Sequence, residues 1–417
     1  MTRSLLNFLN RTKAGSTTIV ATGLAAAGQW ALIAITGRLA GAEQLGMLSW
    51  ALAFVTPWLL LCSLQLRTVI AGHAPDVVLF SVLLRLRLLC LAGTTTILLL
   101  ASFYFAPPTW EPTVVGILVW GVGMWIGDLL QGWMQVRGRI ATAAWCFALR
   151  AVGSAALTGV VLWLYPNWGA VATATIIATV SIVVLVMIEI PVVRTLTPIY
   201  APSPITRSVL GWLVFTAPLG FATGIGALAA MLPRFALMHW EGAAALGAFM
   251  AMTVMVTAAC QLFGAPAPLI IARLAGLLEA GEVAEVRRIL KYITAFALGL
   301  GLFGYVLAWL CGAYVMRMIF GQALGDSCTA LPDMALVAAI ELMQFPLGYL
   351  LTAGHCYRQQ IVPTVVGFLV TAALVCLWVP VYGMAGAAWA LMGGGGARFA
   401  LMFPTGLRLL RSTSPTR

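Results

Sequence analysis

Apolar stretches of twenty or more residues recur along this chain, and short segments with charges, glycine or proline separate them. A helix needs about 20 apolar residues to cross the ~30 Å hydrocarbon core of a bilayer. Strands of an outer-membrane barrel would instead alternate in polarity over about ten residues. The pattern predicts an all-α polytopic membrane protein with twelve transmembrane helices, over 17–37, 46–66, 83–104, 114–136, 140–165, 169–193, 210–231, 245–271, 289–316, 334–353, 361–381 and 383–407.

The two halves of this pattern resemble each other. GRLAGAEQLG after the first span corresponds to PRFALMHWEGAAALG after the seventh, and YPNWGAVATA before the sixth corresponds to VPVYGMAGAAWA before the twelfth. Transporters use such parallel repeats to build a cavity at the interface between two bundles. We therefore predict an N-terminal six-helix bundle over 1–193, a cytoplasmic linker over 194–208 and a C-terminal six-helix bundle over 209–417.

Composition excludes a soluble protein. Of the 417 residues, 62% are hydrophobic and 8% are charged, and the mean hydropathy is +1.01. A typical soluble domain has about 25% charged residues. The net charge of +11 is attributed to membrane insertion and to contact with anionic membrane lipids, so no nucleic-acid partner is expected.

Arginine and lysine are distributed unevenly between the two ends of the predicted spans. With the N-terminus inside, eighteen of the 23 fall in cytoplasmic segments, including Arg85 and Arg87, and three fall on the other side. The other two, Arg150 and Arg398, lie within spans. Because basic loops are retained in the cytoplasm, both termini are predicted to be cytoplasmic.

Five stretches resemble the multidrug/oligosaccharidyl-lipid/polysaccharide (MOP) exporter superfamily and, within it, the polysaccharide and O-antigen flippases of the Wzx type. These stretches are GRLAGAEQLGMLSWALA, LQLRTVIAGHAPDVVLFSVLLRLRLL, RLAGLLEAGEVAEVRRILK, VMRMIFGQAL and VPVYGMAGAAWAL. The resemblance covers nearly the whole chain, because these stretches occur in the family's order between residues 37 and 391. The sequence departs from the family pattern in MLPRF, where many relatives have Asp or Asn before the arginine, and in IFGQAL, which lacks a frequent acidic residue.

The resemblance implies two bundles in a V shape around a central cavity, working by alternating access. The implied substrate is an undecaprenyl-diphosphate-linked glycan, flipped from the cytoplasmic to the periplasmic leaflet for lipopolysaccharide O-antigen or exopolysaccharide synthesis. The implied location is the bacterial cytoplasmic (inner) membrane. Candidate partners are the membrane lipids and the polysaccharide polymerase or assembly machinery.

Two other functions stay open at this point. Drug and cation antiporters of the same superfamily, the MATE-like transporters, also have twelve spans, and a fold does not determine its substrate. A membrane-bound polysaccharide polymerase or glycosyltransferase is the third possibility. Such enzymes usually need a large loop or paired acidic residues, and the outer loops here are short. We therefore do not expect an enzyme.

Charged and amide side chains within the predicted spans are the candidate site residues. Arg150 and Arg398 lie near mid-membrane, where a cation facing a watery cavity can bind the anionic part of a substrate. Asp128 reaches the depth of Arg150, and a neutralising pair would explain both without a substrate. Arg398 could instead extend to the cytoplasmic face. The predicted substrate-binding candidates are Arg398, Arg150, Asp128, Gln29, Gln131 and Gln261.

Glu341 lies about two turns into the tenth span and is the candidate ion-coupling residue, because an isolated carboxylate in a dry site tends to take up a proton. A hydrogen bond to a neighbouring span explains it equally well. The four glycines at 393–396, just before Arg398, are interpreted as a close packing surface.

No catalytic residue, cofactor or metal site is predicted. The three histidines lie far apart, and the eight cysteines show no C-x-x-C spacing. The two lysines, Lys13 and Lys291, follow Thr and Leu, so neither belongs to a phosphate-binding loop of the G-x-x-x-x-G-K-[ST] type.

Overall fold

The computed structural model describes residues 2–71, 77–197, 206–264, 266–354, 356 and 358–412. Every regular element in these residues is helical, as the apolar pattern predicts. Most of the predicted linker lies outside them, as do His73 and His355. The all-α prediction is confirmed for the described part of the chain.

Helices of the first half cover the predicted spans, and the first two spans are joined in one helical element. They are α1 (Thr2–Ser63), α2 (Leu66–Ala71), α3 (Val77–Phe105), α4 (Glu111–Val136), α5 (Ile140–Leu164), α6 (Gly169–Val184) and α7 (Ile190–Leu196). One π-helical turn, Leu185–Glu189, joins α6 to α7. The helices that follow are α8 (Thr206–Trp240), α9 (Ala243–Gly264), α10 (Ala267–Glu279), α11 (Val283–Phe320), α12 (Gln322–Ser327), α13 (Leu331–Ala353) and α14 (Ile361–Ser412).

Ten helical segments of the described residues are long and apolar enough to cross a membrane. Two of these, Val20–Ile70 with 51 residues and Ile361–Leu410 with 50, would each measure about 75 Å as a single straight helix at ~1.5 Å per residue. That is more than twice the ~30 Å hydrocarbon core. Each contains a glycine with non-helical backbone angles, Gly41 (φ 89°, ψ 175°) and Gly383 (φ 53°, ψ −128°). Both segments are therefore long enough for two spans, consistent with the predicted twelve.

The chain forms two compact units. The first contains residues 1–40 and 54–224, and the second contains residues 41–53 and 225–417. These bounds differ from the predicted bundles in placing 41–53 in the second unit and 194–224 in the first. Close backbone packing explains both differences, because a Cβ on Gly46 would clash with Ala243 and a Cβ on Gly224 would lie 2.6 Å from Leu61 Cβ.

The internal repeat is visible in backbone conformation. Gly169, at the start of α6, has φ 41° and ψ −123°, close to the values at Gly383. These glycines lie in the two stretches that the sequence comparison matched, 214 residues apart. A positive φ of this kind is accessible mainly to glycine. Each unit therefore begins its last span with the same glycine-dependent bend.

Candidate functional site

A fully buried ion pair lies in the first unit. The Arg150 guanidinium on α5 donates to both carboxylate oxygens of Glu189, at 2.8 and 2.7 Å, and Gln131 Nε2 on α4 donates to Glu189 Oε1 at 2.8 Å. Glu189 is 0% exposed and Arg150 is 4% exposed. A Cβ on Gly127 would lie 2.8 Å from Arg150 Nη1, so this glycine leaves room for the pair. The three side chains link α4, α5 and the end of the π-helical turn.

The π-helical turn positions Glu189. Pro191 follows two residues later and has no backbone N–H, so the Met187 carbonyl inside the turn has no i+4 donor. The Ile190 N–H instead donates to the Leu185 carbonyl five residues back. Such widened turns insert one residue into a helix and often occur at functional sites. Here the widened turn ends on the one acidic residue of the span.

Asp128 does not pair with Arg150, and the predicted pair is wrong. The Asp128 carboxylate contacts Arg67 at 3.0 Å and Arg87 at 3.6 Å. Asp128 and Gln131 are three residues apart on α4, which leaves their side chains about 60° apart around the helix axis. That rotation directs Gln131 to Glu189 and Asp128 to the two other arginines.

Arg87, which the sequence analysis counted with a cytoplasmic segment at the start of the third span, lies inside helix α3. It lies ten residues after the start of α3 and is 0% exposed. Its guanidinium nitrogens make no hydrogen bond within the described residues, and its carbon lies 5.8 Å from the centre of the Trp125 ring. Arg67 is 38% exposed and donates to Gln135 at 3.4 Å as well as to Asp128. Two guanidinium groups therefore share one carboxylate, which leaves this cluster with a net positive charge.

The second unit has a corresponding cluster around Glu341. Glu341 and Gln344 on α13 repeat the acid-x-x-Gln spacing of Asp128 and Gln131, 213 residues further on. Both lie beside Gly395 of α14, whose Cβ would be 3.5 Å from Glu341 Oε1 and 3.3 Å from Gln344 Nε2.

Arg398 interacts electrostatically with Glu341, although no ion pair within 4.0 Å joins them. It is half-buried, and its Nε has no hydrogen-bond partner among the described residues. The structure therefore gives Arg398 an acidic neighbour that its local sequence lacks.

The glycines at 393–396 form a packing surface, as interpreted from the sequence. A Cβ on Gly394 would lie 2.7 Å from the Gly367 carbonyl oxygen, so the two halves of α14 approach closely there. Gly395 packs on α13 beside Ile340, whereas Gly396 has open space around it. The run therefore brings the backbone that carries Arg398 close to both neighbouring helical segments.

Gln29 and Gln261 lie next to these clusters along the chain. Gly28, the neighbour of Gln29, packs on the Ala151 backbone, so α1 crosses α5 one residue from Arg150. Cys260, the neighbour of Gln261, packs against the apolar cluster that contains Phe263 and Leu342, and Leu342 follows Glu341 on α13. Both glutamines also have interactions of their own.

Sequence reasoning missed Glu189, the Arg87 contact and the buried Arg234 on α8, which is 6% exposed. A signal was present for Glu189, because an acidic residue within the apolar run 169–193 needs a partner. For Arg87 the sequence showed an arginine near the start of the predicted span 83–104 but gave no sign that Asp128 and Trp125 of α4 would contact it. Among the described residues, no three His, Cys, Asp or Glu side chains form a group that could hold a metal ion.

No protein-family model and no curated protein sequence matches this chain. Its structure is similar to that of the lipid II flippase MurJ in an inward closed conformation, with TM-score 0.75 and 9% identity over 97% of this chain and 90% of that one. It is also similar to an inward-facing multidrug resistance MATE family transporter of the MOP superfamily, with TM-score 0.66 and 12% identity over 96% of both chains.

A third similar structure is a MOP superfamily transporter from Pyrococcus furiosus, with TM-score 0.56 and 14% identity over 97% of both chains. These three similar structures are two transporters and a flippase, not enzymes. This multi-pass membrane protein therefore has the fold of the MOP superfamily transporters.

Proposed function

We propose that this protein flips an undecaprenyl-diphosphate-linked oligosaccharide from the cytoplasmic to the periplasmic leaflet of a bacterial inner membrane by alternating access. The glycan would be a repeat unit of lipopolysaccharide O-antigen or exopolysaccharide. In this proposal both termini are cytoplasmic, and the polysaccharide polymerase or assembly machinery receives the product.

One observation carries the proposal: two guanidinium groups, Arg67 and Arg87, share the single carboxylate of Asp128. Arg87 is fully buried, and a buried cation is costly unless an anionic partner compensates for it. A diphosphate is such a partner, since arginine binds phosphate oxygens through paired N–H donors. The partly exposed Arg67 is the group that an incoming substrate can reach first. The fold shared with a lipid II flippase supports the same class of substrate.

The Arg150–Glu189 pair and the Glu341–Arg398 cluster have other roles in this proposal. Arg150 is neutralised by Glu189, so it holds three helices together rather than attracting an anion. Arg398 keeps the substrate-binding role that the sequence predicts, with Glu341 as the ion-coupling residue beside it.

A drug or cation antiporter is the second candidate, favoured by the similarity to multidrug transporters. Its cationic substrates would have to bind an acidic residue, and Glu341 is the candidate. This candidate ranks second because Arg67 and Arg87 share the single carboxylate of Asp128, and the excess positive charge would repel a cationic substrate.

Reconstituted protein tests the proposal directly. Liposomes with a fluorescent undecaprenyl-diphosphate oligosaccharide in both leaflets should lose about half of the signal to external dithionite without protein, and nearly all of it with active flippase. We expect Arg67→Gln to slow this loss about tenfold or more, because a hydrogen bond to a charged group contributes roughly 1.5–3 kcal/mol.

Arg85→Gln is the matched control. It removes one arginine that is half-buried in α3 and makes no ion pair within the described residues, so its rate should stay near wild type. Efflux of a cationic dye without movement of the labelled lipid would instead establish the antiporter. Equal slowing by both substitutions would remove the Arg67 argument.

A further inference from the structure

An apolar groove lies on the second unit between α11, α13 and the second half of α14. Its volume is about 440 Å³. Its walls include Leu298, Met343, Leu347 and Phe403. Leu298 is 46% exposed and Phe403 is 48% exposed, so the groove opens to the outside of the unit. Large apolar side chains on the open side of a membrane helix face hydrocarbon, so the surrounding medium here is lipid.

Two cations line one end of this groove. Arg287 and Lys291 are four residues apart near the start of α11, so they lie on the same helix face. Neither makes an ion pair within the described residues. The nearby Glu285 carboxylate contacts Arg273 and Arg288 instead, at 3.9 and 3.6 Å. No acidic residue lines the groove. The groove therefore combines an apolar wall with two uncompensated positive charges at one end.

The first unit has a groove at the corresponding place. It has a volume of about 720 Å³ and lies between α3, α4 and the end of the sixth span, with Arg194 at one end. Leu130 and Ile190 in its wall correspond to Met343 and Phe403 in the second groove, each pair being 213 residues apart. An accidental packing defect would not recur at equivalent positions of both repeats. The groove is therefore a feature of the repeated unit.

We propose that the groove of the second unit binds an anionic phospholipid of the surrounding bilayer, with an acyl chain along the apolar wall and the phosphate on Arg287 and Lys291. Charge complementarity identifies this occupant. The two cations lie at the predicted cytoplasmic end of α11, and basic pockets between helices on that side bind anionic head groups. A zwitterionic lipid could place an acyl chain along the same apolar wall, but its head group has no net negative charge to attract both Arg287 and Lys291.

Native mass spectrometry of the delipidated full-length protein can test this site with two added lipids, phosphatidylglycerol and phosphatidylcholine. We expect wild type to bind phosphatidylglycerol roughly thirtyfold more tightly, since two basic residues each contribute on the order of 1 kcal/mol toward anionic lipid and about 1.4 kcal/mol is a factor of ten. The double substitution Arg287→Gln with Lys291→Gln should abolish this preference.

The matched control removes two charges from the same end of the unit without touching the groove. Arg273→Gln with Arg288→Gln changes side chains that are 68% and 67% exposed and absent from the groove wall, so the preference should persist. Ala295→Trp serves as a second variant, because this exposed alanine lines the groove and a larger side chain would occupy it. It should weaken the binding of both lipids and leave the charges intact.

Several results would overturn the proposal. Equal wild-type affinity for the two lipids would remove the role of the cations, and equal loss in both double variants would show a diffuse charge effect. Undecaprenyl phosphate that displaces phosphatidylglycerol at equal concentration, and depends on Arg287 and Lys291, would assign the groove to the substrate chain instead. Because the assay measures lipid binding, its outcome is independent of whether the protein flips a glycan.

Discussion

Replacing Arg150 with methionine would leave the Glu189 carboxylate buried without its cation. Glu189 is 0% exposed, and its contacts apart from Arg150 include one hydrogen bond from Gln131. Removing one partner of a buried ion pair typically destabilises a protein by about 3–5 kcal/mol, because an uncompensated charge remains in a medium of low polarity. We therefore expect Arg150→Met to lower the free energy of unfolding by that amount.

A second substitution should restore most of this loss. Replacing a whole buried ion pair with neutral residues of similar size is often nearly neutral. In Arg150→Met with Glu189→Gln, no charge remains at the site, and the amide can still accept the hydrogen bond from Gln131. We expect the double variant to lie within about 1 kcal/mol of wild type. The coupling energy of the mutant cycle should then be at least about 2 kcal/mol.

Unfolding of the purified protein in mixed micelles of mild detergent and SDS measures these free energies. Asp128→Asn provides the discriminating comparison, because Asp128 belongs to Arg67 and Arg87. It should not rescue Arg150→Met. Rescue by Asp128→Asn and none by Glu189→Gln would refute the assignment of partners, and additive effects in the Glu189 cycle would refute the pair itself.

Three further outcomes are expected. Alkaline-phosphatase fusions should be active at Glu111 and Ala323 and inactive at Arg139, because the basic segments mark the cytoplasmic side; the opposite pattern would invert the topology. Glu341→Gln should abolish gradient-driven transport while normal protein levels remain in the membrane, and retained ion dependence would exclude Glu341 as the coupling residue. Arg398→Ala should abolish surface glycan and Arg398→Lys should keep part of it, since lysine retains the charge but loses the planar fork; full export by the alanine variant would show that Arg398 does not bind substrate.

Most helices could be predicted from the sequence, because a helix in the hydrocarbon core of a bilayer needs a continuous apolar stretch of about 20 residues, which is visible in the sequence. α5 runs over Ile140–Leu164, one residue shorter than predicted. The prediction was less accurate at helix starts. α3 begins at Val77, six residues before the predicted start at 83, so Arg85 and Arg87 lie in its third turn rather than at its first residues. A hydropathy pattern does not show that a carboxylate on a neighbouring helix, here Asp128, lies close to an arginine such as Arg87.

Partners of the intramembrane charges could not be predicted in the same way. Depth along a helix follows from counting residues, and it identified Arg150 and Asp128 as being at the same level. Successive side chains of a helix point in directions that differ by about 100° around its axis. Which neighbouring helix a given side chain faces depends on how the helices pack. The sequence offered Arg150 two carboxylates in neighbouring spans, Asp128 and Glu189, and the packing of α4, α5 and α6 selects the second.

The Arg150–Glu189 pair also bears on how the protein enters the membrane. The two residues belong to consecutive spans, and the connection between α5 and α6 is a short turn, Tyr165–Trp168. Inserted singly, each span would bring an unpaired charge into the bilayer, at a cost of up to about 2.5–3.5 kcal/mol for a charge at its centre. Inserted as a hairpin, the two spans can neutralise each other before they separate from the translocon. Biosynthesis of this region should therefore proceed by joint release of two helices rather than by sequential release of each one.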